Sequence, residues 1–533
     1  MLAIRLKFVL YVTMAPRAEN EMSAPEFLTR RREELLLVLF VLLSAFAAAV
    51  RLYAADKYAF VLYGDAASHL VKARQLIDSW QPGIQNIGTV WLPIPHLVLL
   101  PFSLIDSLFV TGTAGPVVGI PLLIGTVLLL FGIVRRLTHS RPIALLGALT
   151  FGVNPNIVYL SLTPMSEPVF FFLIALSGYC LFRWMYEQND RWMIACAVAV
   201  MLSTLSRYEA WVLAPCLAVV LLFESYRSYK NADRARLWLF LLGAFISLAG
   251  ILLWFLWNKW MFGDFFQFAP WKYRPPSSAA NFPMRYRQES VTLTLVRALL
   301  NVFGPIVMIA GLGGIAVIRK FVHRPIQYFA YLFLALPALF IFAGILTDFV
   351  LIDQWWWNWR FVLVFGVFAA VAGSLGISRL FGVIRSRFAK GILVAALLAM
   401  PVVQLTVPDV SVATHEDAAK IFSGLTKYAT AFGEKLGSVY SGGTIVLFTG
   451  GGLGERIMLS SGIPLKNFHP IVYPGGCDIG GAVMSGDSYI VLGKVRLPDS
   501  RQVVDYWMSR KDLVLQYYEV KFEDDKYLLL KRK

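Results

Sequence analysis

Eleven long runs of apolar residues constrain the fold of this chain more than any other feature. Each run is 15 to 21 residues long, and a helix of about 20 apolar residues crosses the hydrocarbon core of a bilayer. Over the whole chain 58% of residues are hydrophobic, 15% are charged and the mean hydropathy is +0.63, whereas soluble domains carry about 25% charged residues. The sequence therefore excludes a soluble globule and predicts a mostly α-helical, polytopic membrane bundle of about 11 to 13 transmembrane helices. The runs are residues 36–54, 116–134, 142–160, 168–184, 192–206, 209–223, 237–257, 298–317, 326–346, 361–377 and 391–408.

The distribution of charge predicts how the bundle is oriented. The net charge is +16, yet residues 409–533 hold 15 basic and 14 acidic residues, so the excess lies in the apolar part. Connections rich in lysine and arginine stay in the cytoplasm, which predicts a cytoplasmic N-terminus, a multi-pass protein of the plasma membrane and no nucleic-acid partner. The basic connections are residues 135–141, 224–236, 319–324 and 379–390. The expected outer segments are residues 55–90, 155–167, 206–208, 258–297, 347–360 and 409–533.

Two segments depart from the pattern of spanning runs. Residues 91–110 are apolar but contain three prolines, and we expect a juxtamembrane or re-entrant helix there. The alternative is a true crossing that is paired with another, unrecognised helix. After residue 408 we expect strands at 444–449 and 489–493, a hairpin at 513–530, and helices at 415–437 and 500–510. The expected domains are a cytoplasmic segment (1–35), a transmembrane domain (36–408, with outer loops 55–115 and 258–297) and an extracytoplasmic α/β domain (409–533).

Several ionisable residues collect on the predicted outer face, and such residues beside apolar runs often mark functional sites. Asp65 is predicted to open a helix as its N-cap, with His69 on the same helix face and Lys72 beyond it. Glu167 is predicted in the first turn of an apolar helix, where the helix dipole favours a carboxylate. Asp65 and Glu167 could instead be simple caps, and His69 a hydrogen-bonded neighbour.

An acidic and basic pair lies in the next outer turn. Arg207 and Glu209 stand between two apolar runs, and an ion pair at that depth usually has further partners because desolvation is costly. The alternative is a purely structural ion pair within the membrane.

The remaining candidates are cations near aromatic side chains. The segment 258–297 carries six basic residues, among them Lys272 and Arg274, against two acidic ones. This loop indicates an anionic, partly apolar ligand such as a lipid phosphate, or else anchoring at the membrane interface. Asn358 and Arg360 follow three consecutive tryptophans, and the guanidinium fork of Arg360 can bind a phosphate.

Five outer-face segments follow one another in an order that is known from other proteins. They are Gly64-Asp65-Ala-Ala-Ser-His69, Trp91-Leu-Pro-Ile-Pro-His96, Thr163-Pro-Met-Ser-Glu167, Ser206-Arg-Tyr-Glu-Ala-Trp211 and Asn358-Trp-Arg360-Phe361. This order resembles the GT-C superfamily of integral membrane glycosyltransferases, and within it the family-39-like protein mannosyltransferases and lipid A aminoarabinose transferases. The resemblance covers about residues 36–380. It fails at Ala66, where mannosyltransferases often carry a second acid, so the identity of the sugar is not carried over.

The resemblance implies transfer of a sugar from a polyprenyl-phosphate carrier to a glycan, lipid or protein acceptor at the extracytoplasmic membrane face. Asp65 and Glu167 would be the catalytic carboxylates, with Asp65 as base, or both would hold a divalent cation, Mg²⁺ or Mn²⁺. No nucleotide cofactor is expected, because the donor is already a lipid phosphate. The substrate-binding residues would be His69, Lys72, Arg207, Glu209, Lys272, Arg274, Asn358 and Arg360.

Two other functions remain open at this point. One is a transporter or flippase of a lipid-linked or anionic substrate, although the sequence shows no inverted repeat of the kind that many transporters carry. The other is an assembly protein whose outer domain binds partners.

Overall fold

A bundle of long apolar helices makes up most of the structure. The computed structural model describes residues 32–269, 290–321, 325–347, 350, 352, 358–406, 412–448, 453–469, 488–494, 511–512 and 514–533. Within these residues, seven helices are long and apolar enough to cross a membrane, or nine if two bent helix pairs each count as one crossing. The predicted fold class, a multi-pass helical membrane protein with a small C-terminal sheet, is confirmed.

The helices follow the predicted apolar runs closely. In the first half they are α1 (Arg32–Ala55), α2 (Gly64–Gln75), α3 (Pro93–Ser103), α4 (Asp106–Thr111), α5 (Ala114–Thr138), α6 (Arg141–Gly152), α7 (Pro155–Ser161), α8 (Glu167–Glu187), α9 (Asp190–Thr204) and α10 (Leu213–Lys230). They continue as α11 (Arg234–Phe262), α12 (Val291–Phe303), α13 (Pro305–Phe321), α14 (Pro325–Leu346), α15 (Phe365–Val383) and α16 (Arg387–Thr406). Short 3₁₀ turns at Tyr208–Val212 and Trp359–Val364 lead into α10 and α15.

The run at 142–160, predicted as one crossing, is bent. Helices α6 and α7 meet at 62°, and the break lies at Asn154 and Pro155. The Asn154 Oδ1 accepts hydrogen bonds from the backbone N–H groups of Asn156 (3.0 Å) and Ile157 (3.2 Å), so it caps a new helix. Pro155 is the first residue of that helix, where its missing N–H costs nothing. The run at 298–317 is bent in the same way, by 108° between Val291–Phe303 and Val307–Ala316.

Residues 91–110 form two short helices, α3 and α4. They are 11 and 6 residues long, and at 1.5 Å per residue neither can cross a core of about 30 Å. This agrees with the predicted re-entrant or juxtamembrane segment. It also leaves the alternation of inner and outer connections intact.

Helices α13 and α15 pack closely because small residues face each other. A Cβ at Gly314 would overlap the backbone of Ala372, and a Cβ at Gly376 would overlap the carbonyl oxygen of Ala310. Small residues let helix backbones approach in a membrane, where van der Waals contact supplies much of the association energy. This packing holds α15, and therefore the 3₁₀ turn that precedes it, in a fixed position.

The described residues of the C-terminal segment form a five-stranded sheet and several helices. Its elements are α17 (Ala413–Val439), β1 (Ile445–Phe448), α18 (Leu453–Ser461), β2 (Phe468–His469), β3 (Tyr489–Gly493), β4 (Tyr518–Glu523) and β5 (Tyr527–Arg532). The strand order is β2-β1-β3-β5-β4, parallel between β1 and both β2 and β3 and antiparallel elsewhere. The predicted hairpin is correct, but its first strand begins at Tyr518, and residues 514–517 are helical instead. The predicted helix at 500–510 lies outside the described residues.

Helices α17 and α18 attach the sheet to the membrane part. The Tyr58 hydroxyl donates a hydrogen bond to Glu434 in α17 at 2.8 Å, and Lys57 pairs with the same carboxylate at 2.6 Å. In α18 the buried Arg456 donates to the carbonyl oxygen of Val61. These contacts fix the chain segment just before α2.

Candidate functional site

Asp65 and Arg360 form an ion pair although they are 295 residues apart in the sequence. The Asp65 Oδ2 lies 2.6 Å from the Arg360 Nη2. Asp65 lies in the first turn of α2, whose N-cap is Tyr63, so the prediction that Asp65 itself is the N-cap was wrong. Its carboxylate points to Arg360 in the turn before α15 instead of capping its own helix. The Asp65 side chain is 38% exposed and that of Arg360 is 12% exposed.

A second cluster joins Glu167, Arg207 and Glu209 in one network. The Arg207 Nη1 lies 2.8 Å from the Glu167 Oε1, and its Nε donates to the Glu209 Oε1 at 3.0 Å. The same Nη1 donates to the Ser166 hydroxyl at 2.9 Å. Glu167 is only 1% exposed, and it opens α8 as predicted. The Arg207 Nη2 also donates to the Glu209 Oε1, so the two carboxylates and the hydroxyl occupy all three nitrogen atoms of the guanidinium group.

The aromatic ring of Phe361 connects the two clusters. The Arg207 guanidinium carbon lies 5.7 Å from the centre of this ring, and the Arg360 guanidinium carbon lies 5.4 Å from it. Arg360 also lies 5.1 Å from the ring centre of Tyr63. Cation–π contacts of this kind hold guanidinium groups in place without using their N–H donors. The two ion clusters thus belong to a single site.

Arg360, unlike Arg207, keeps unused donors. Among the described residues, its Nη1 donates only to the sulfur of Met165, at 3.8 Å, and sulfur is a weak acceptor. Its Nε has no hydrogen-bond partner in the described part of the chain. A guanidinium with unused donors beside a half-exposed carboxylate is suited to an additional anionic partner such as a phosphate.

His69 lies one helical turn after Asp65 in α2 and forms a buried pair with His96. The His69 Nδ1 and the His96 Nε2 are 2.8 Å apart, and the His69 ring lies 4.8 Å from the ring of Trp91. Burial lowers the pKa of His69 to about 4, although the carboxylates of Asp65 and Glu167 oppose this shift. At neutral pH the pair is therefore uncharged, with one ring donating the hydrogen bond to the other.

The protonation state of Asp65 follows from its partner. Burial by itself raises the pKa of this carboxyl, but the guanidinium of Arg360 outweighs burial and holds the pKa below its usual range. Asp65 is therefore an anion at neutral pH and can accept a proton or a hydrogen bond.

The other predicted site residues are distributed as follows. Lys72 lies 5.9 Å from the ring centre of Trp91, beside the histidine pair. Asn358 has a left-handed backbone (φ 59°) and donates its N–H to the Asp417 Oδ2 at 3.1 Å. Lys272 and Arg274 lie outside the described residues. The structure adds His96, Tyr63 and Phe361 to the site, and Asp417 behind it.

The site residues fit the expected divalent cation poorly. Asp65 is paired with Arg360, and Glu167 is buried against Arg207. In the described parts of the chain, no group of three or more His, Cys, Asp or Glu residues could hold a metal ion. A cation bound between Asp65 and Glu167 would have to displace two guanidinium groups.

The site lies at one end of the bundle. The basic connection between α5 and α6 is at the other end, where Arg135 pairs with Glu34 (3.5 Å) and Arg141 pairs with Glu33 (3.2 Å) at the start of α1. Helix α1 thus begins among basic residues and leads toward the site.

Part of the chain matches a known family. Residues 104–257 match the family model of dolichyl-phosphate-mannose-protein mannosyltransferase. This range contains Glu167, Arg207 and Glu209, but neither Asp65 nor Arg360. No curated protein sequence matches the chain.

Solved structures match over most of the chain. ArnT from Cupriavidus metallidurans bound to undecaprenyl phosphate is 12% identical with a TM-score of 0.56, and the alignment covers 95% of this chain and 98% of that one. The apo form of ArnT gives 12% identity, a TM-score of 0.50 and coverages of 92% and 97%. The apo oligosaccharyltransferase of Archaeoglobus fulgidus is 13% identical with a TM-score of 0.50, covering 86% of this chain and 69% of that one. The chain therefore has the fold of these membrane proteins. The family match at residues 104–257 agrees with the resemblance to GT-C glycosyltransferases that the sequence indicates.

Proposed function

We propose that this protein is a membrane glycosyltransferase that moves a sugar from a polyprenyl-phosphate carrier to an acceptor hydroxyl. The observation that carries the proposal is the ion pair between the half-exposed carboxylate of Asp65 and the guanidinium of Arg360. The family match at 104–257 and the fold shared with ArnT support the same class of reaction.

Asp65 is the proposed base. The acceptor oxygen forms a new bond to the anomeric carbon of the sugar while the bond from that carbon to the phosphate oxygen breaks. The hydroxyl proton passes to Asp65, and the polyprenyl phosphate leaves with the electron pair of the broken bond. Attack from the side opposite the phosphate would invert the anomeric carbon.

Arg360 is the proposed ligand of the carrier phosphate. Negative charge accumulates on the leaving phosphate, and a preorganised cation stabilises it best where water is scarce. When the phosphate accepts hydrogen bonds from Arg360, the guanidinium is shared between two anions. The pull of Arg360 on Asp65 then weakens, and the carboxylate becomes a stronger base at the moment when the donor is in place.

The Glu167–Arg207–Glu209 network is the proposed support of this pair. Its carboxylates are almost fully buried, and the donors of Arg207 are already occupied. Through the ring of Phe361, which both guanidinium groups contact, it fixes the position of Arg360. The catalytic role predicted for Glu167 is therefore proposed to be indirect.

The proposed location of the reaction is the extracytoplasmic face of the plasma membrane. The cluster of Arg135, Arg136 and Arg141 lies at the opposite end of the bundle, and the positive-inside rule assigns that end to the cytoplasm. The acceptor, whether a glycan, a lipid or a protein, reaches Asp65 from outside.

Sugar transfer by the purified protein in detergent tests this proposal. Micelles contain no compartments, so a transporter or flippase forms no product, whereas a transferase releases the polyprenyl phosphate and glycosylates an added acceptor. With a panel of polyprenyl-phosphate sugars and a membrane extract as acceptor, we expect transfer by the native protein. Asp65→Asn is expected to lower it by about a hundred- to ten-thousandfold. No transfer from any donor, or full transfer by Asp65→Asn, would overturn the proposal.

A further inference from the structure

A single buried carboxylate in the C-terminal helix α17 holds both chain segments that carry the ion pair. The Asp417 Oδ2 accepts hydrogen bonds from the Tyr63 hydroxyl and from the backbone N–H of Asn358, each at 3.1 Å. Tyr63 is two residues before Asp65, and Asn358 is two residues before Arg360. One oxygen atom therefore joins the two segments immediately ahead of the two reacting side chains.

The surroundings of Asp417 hold it rigidly. Asp417 is 1% exposed, and the Tyr63 hydroxyl is shared with the carbonyl oxygen of Thr414 at 2.6 Å, one turn earlier in α17. The hydroxyl and the N–H of Thr414 donate to the Asn156 Oδ1 at 3.1 and 3.0 Å. Helix α17 is thus anchored to α7 of the bundle by side chains that pack without solvent.

The contact reaches the ion pair directly. The ring of Tyr63 lies 5.1 Å from the Arg360 guanidinium carbon, and the left-handed backbone of Asn358 sets the direction in which Trp359 and Arg360 leave the turn. A non-glycine residue in this conformation is uncommon and needs a contact that holds it. The hydrogen bond from the Asn358 N–H to Asp417 is such a contact.

From this arrangement we infer that Asp417 is a positioning residue, through which the C-terminal unit sets the geometry of the Asp65–Arg360 pair. The inference rests on the proposed function and extends it, because it makes activity depend on a domain whose described residues contribute no side chain to the proposed reaction. Displacement of reacting groups by about 1 Å can cost about a hundredfold in rate. Loss of this contact is therefore expected to reduce transfer without preventing folding.

The experiment compares substitutions at Asp417 with a matched control on the same helix. Asp417→Ala removes the acceptor and is expected to lower kcat/KM for sugar transfer about a hundredfold. Asp417→Asn keeps one oxygen that can accept both hydrogen bonds and is expected to restore most of the activity. Ser438→Ala, at an exposed position of the same helix, removes only a hydroxyl that donates to the carbonyl oxygen of Lys435 within α17, and is expected to leave kcat/KM unchanged. Equal losses for Asp417→Asn and Asp417→Ala, or full activity of Asp417→Ala, would overturn the inference.

A second substitution guards against failure of Asp417→Ala to fold. Tyr63→Phe removes only the hydroxyl, and we expect it to lower kcat/KM in the same direction but less, because the Asn358 contact remains. If Tyr63→Phe has the wild-type kcat/KM and Asp417→Ala does not fold, Asp417 is needed only for folding. That result would contradict the inference.

A double-mutant cycle, measured by the thermal midpoint of unfolding, tests this inference independently of the proposed function. If Asp417 sets the geometry of the Asp65–Arg360 pair, Asp417→Ala and Asp65→Asn disturb the same contact. The double variant should then shift the thermal midpoint by less than the sum of the two single shifts. Additive shifts would refute the positioning role, whatever the activity of the protein. Coupled midpoints without any sugar transfer would keep the positioning role and reject the proposed reaction.

Discussion

Arg207 should be among the most costly single residues of the site to replace. Arg207→Met removes the positive charge that pairs with both Glu167, 1% exposed, and Glu209, 7% exposed. Removal of one partner from a buried ion pair costs about 3–5 kcal/mol. We therefore expect the free energy of unfolding to fall by about 4 kcal/mol.

The matched control is an arginine on a nearby helix. Arg227 is 57% exposed and pairs with Glu224 one turn earlier at 2.8 Å. Exposed pairs of this kind contribute about 0–1 kcal/mol, so Arg227→Met should leave the free energy of unfolding almost unchanged. Both variants can be measured by denaturant unfolding in detergent, with the tryptophan fluorescence as the signal.

A compensated variant shows why Arg207 matters. Replacement of a whole buried ion network by neutral side chains is often neutral or stabilising, so Arg207→Met combined with Glu167→Gln and Glu209→Gln should recover most of the stability. Full stability of Arg207→Met alone, or no recovery in the triple variant, would refute the reasoning. A stable triple variant with a strongly raised donor KM would instead assign Arg207 to substrate binding, as the sequence predicted.

Three further predictions follow from other parts of the structure. The free energy of unfolding should fall as the pH drops from 6.5 toward 4, because the pKa of His69 is depressed and only the unfolded chain takes up this proton; His69→Gln should flatten the curve. Gly376→Ala should destabilise the bundle and lower its thermal midpoint, whereas Gly382→Ala on the same helix, with no atom within 4 Å of the added Cβ, should not. In a chain without native cysteines, Ser107→Cys should react with an impermeant thiol reagent added to intact cells, and Asn231→Cys should not.

Each of these predictions has an outcome that contradicts it. If the pH dependence of the free energy of unfolding is the same in His69→Gln, a group other than His69 causes the loss of stability at low pH. Equal thermal midpoints for the two glycine variants would contradict the close packing of α13 on α15. The opposite labelling pattern would invert the protein and move the site to the cytoplasmic face.

The sequence predicted the helices well because each needs only local information. A bilayer demands about 20 apolar residues in a row, and that requirement can be read from the chain alone. The bend at Asn154 was not predicted because apolar residues flank it on both sides, although an asparagine followed by proline is a typical helix start. The first strand of the C-terminal hairpin was placed too early because the sequence of residues 514–517, Val-Leu-Gln-Tyr, is compatible with a helix as well as with a strand.

The site could be predicted only in part. Acidic residues beside apolar runs identified Asp65 and Glu167, and the outer-face order identified Arg207 and Arg360. Which carboxylate pairs with which guanidinium depends on contacts between residues up to 295 positions apart, which no local pattern contains. Asp417 was missed for the same reason, since in the sequence it is one acid among many in a polar segment.

The most direct test of the central claim is a double-mutant cycle on sugar transfer with Asp65→Asn, Arg360→Met and the two combined. When two groups act as a unit, removal of either one abolishes the contribution of both. The combined variant should therefore transfer sugar only slightly more slowly than the less active of the two single variants. We also expect Asp65→Asn to lower kcat with little change in donor KM, and Arg360→Met to raise the donor KM as well. Native transfer rates in Asp65→Asn, or losses that multiply in the combined variant, would contradict the claim that this pair forms the reacting centre.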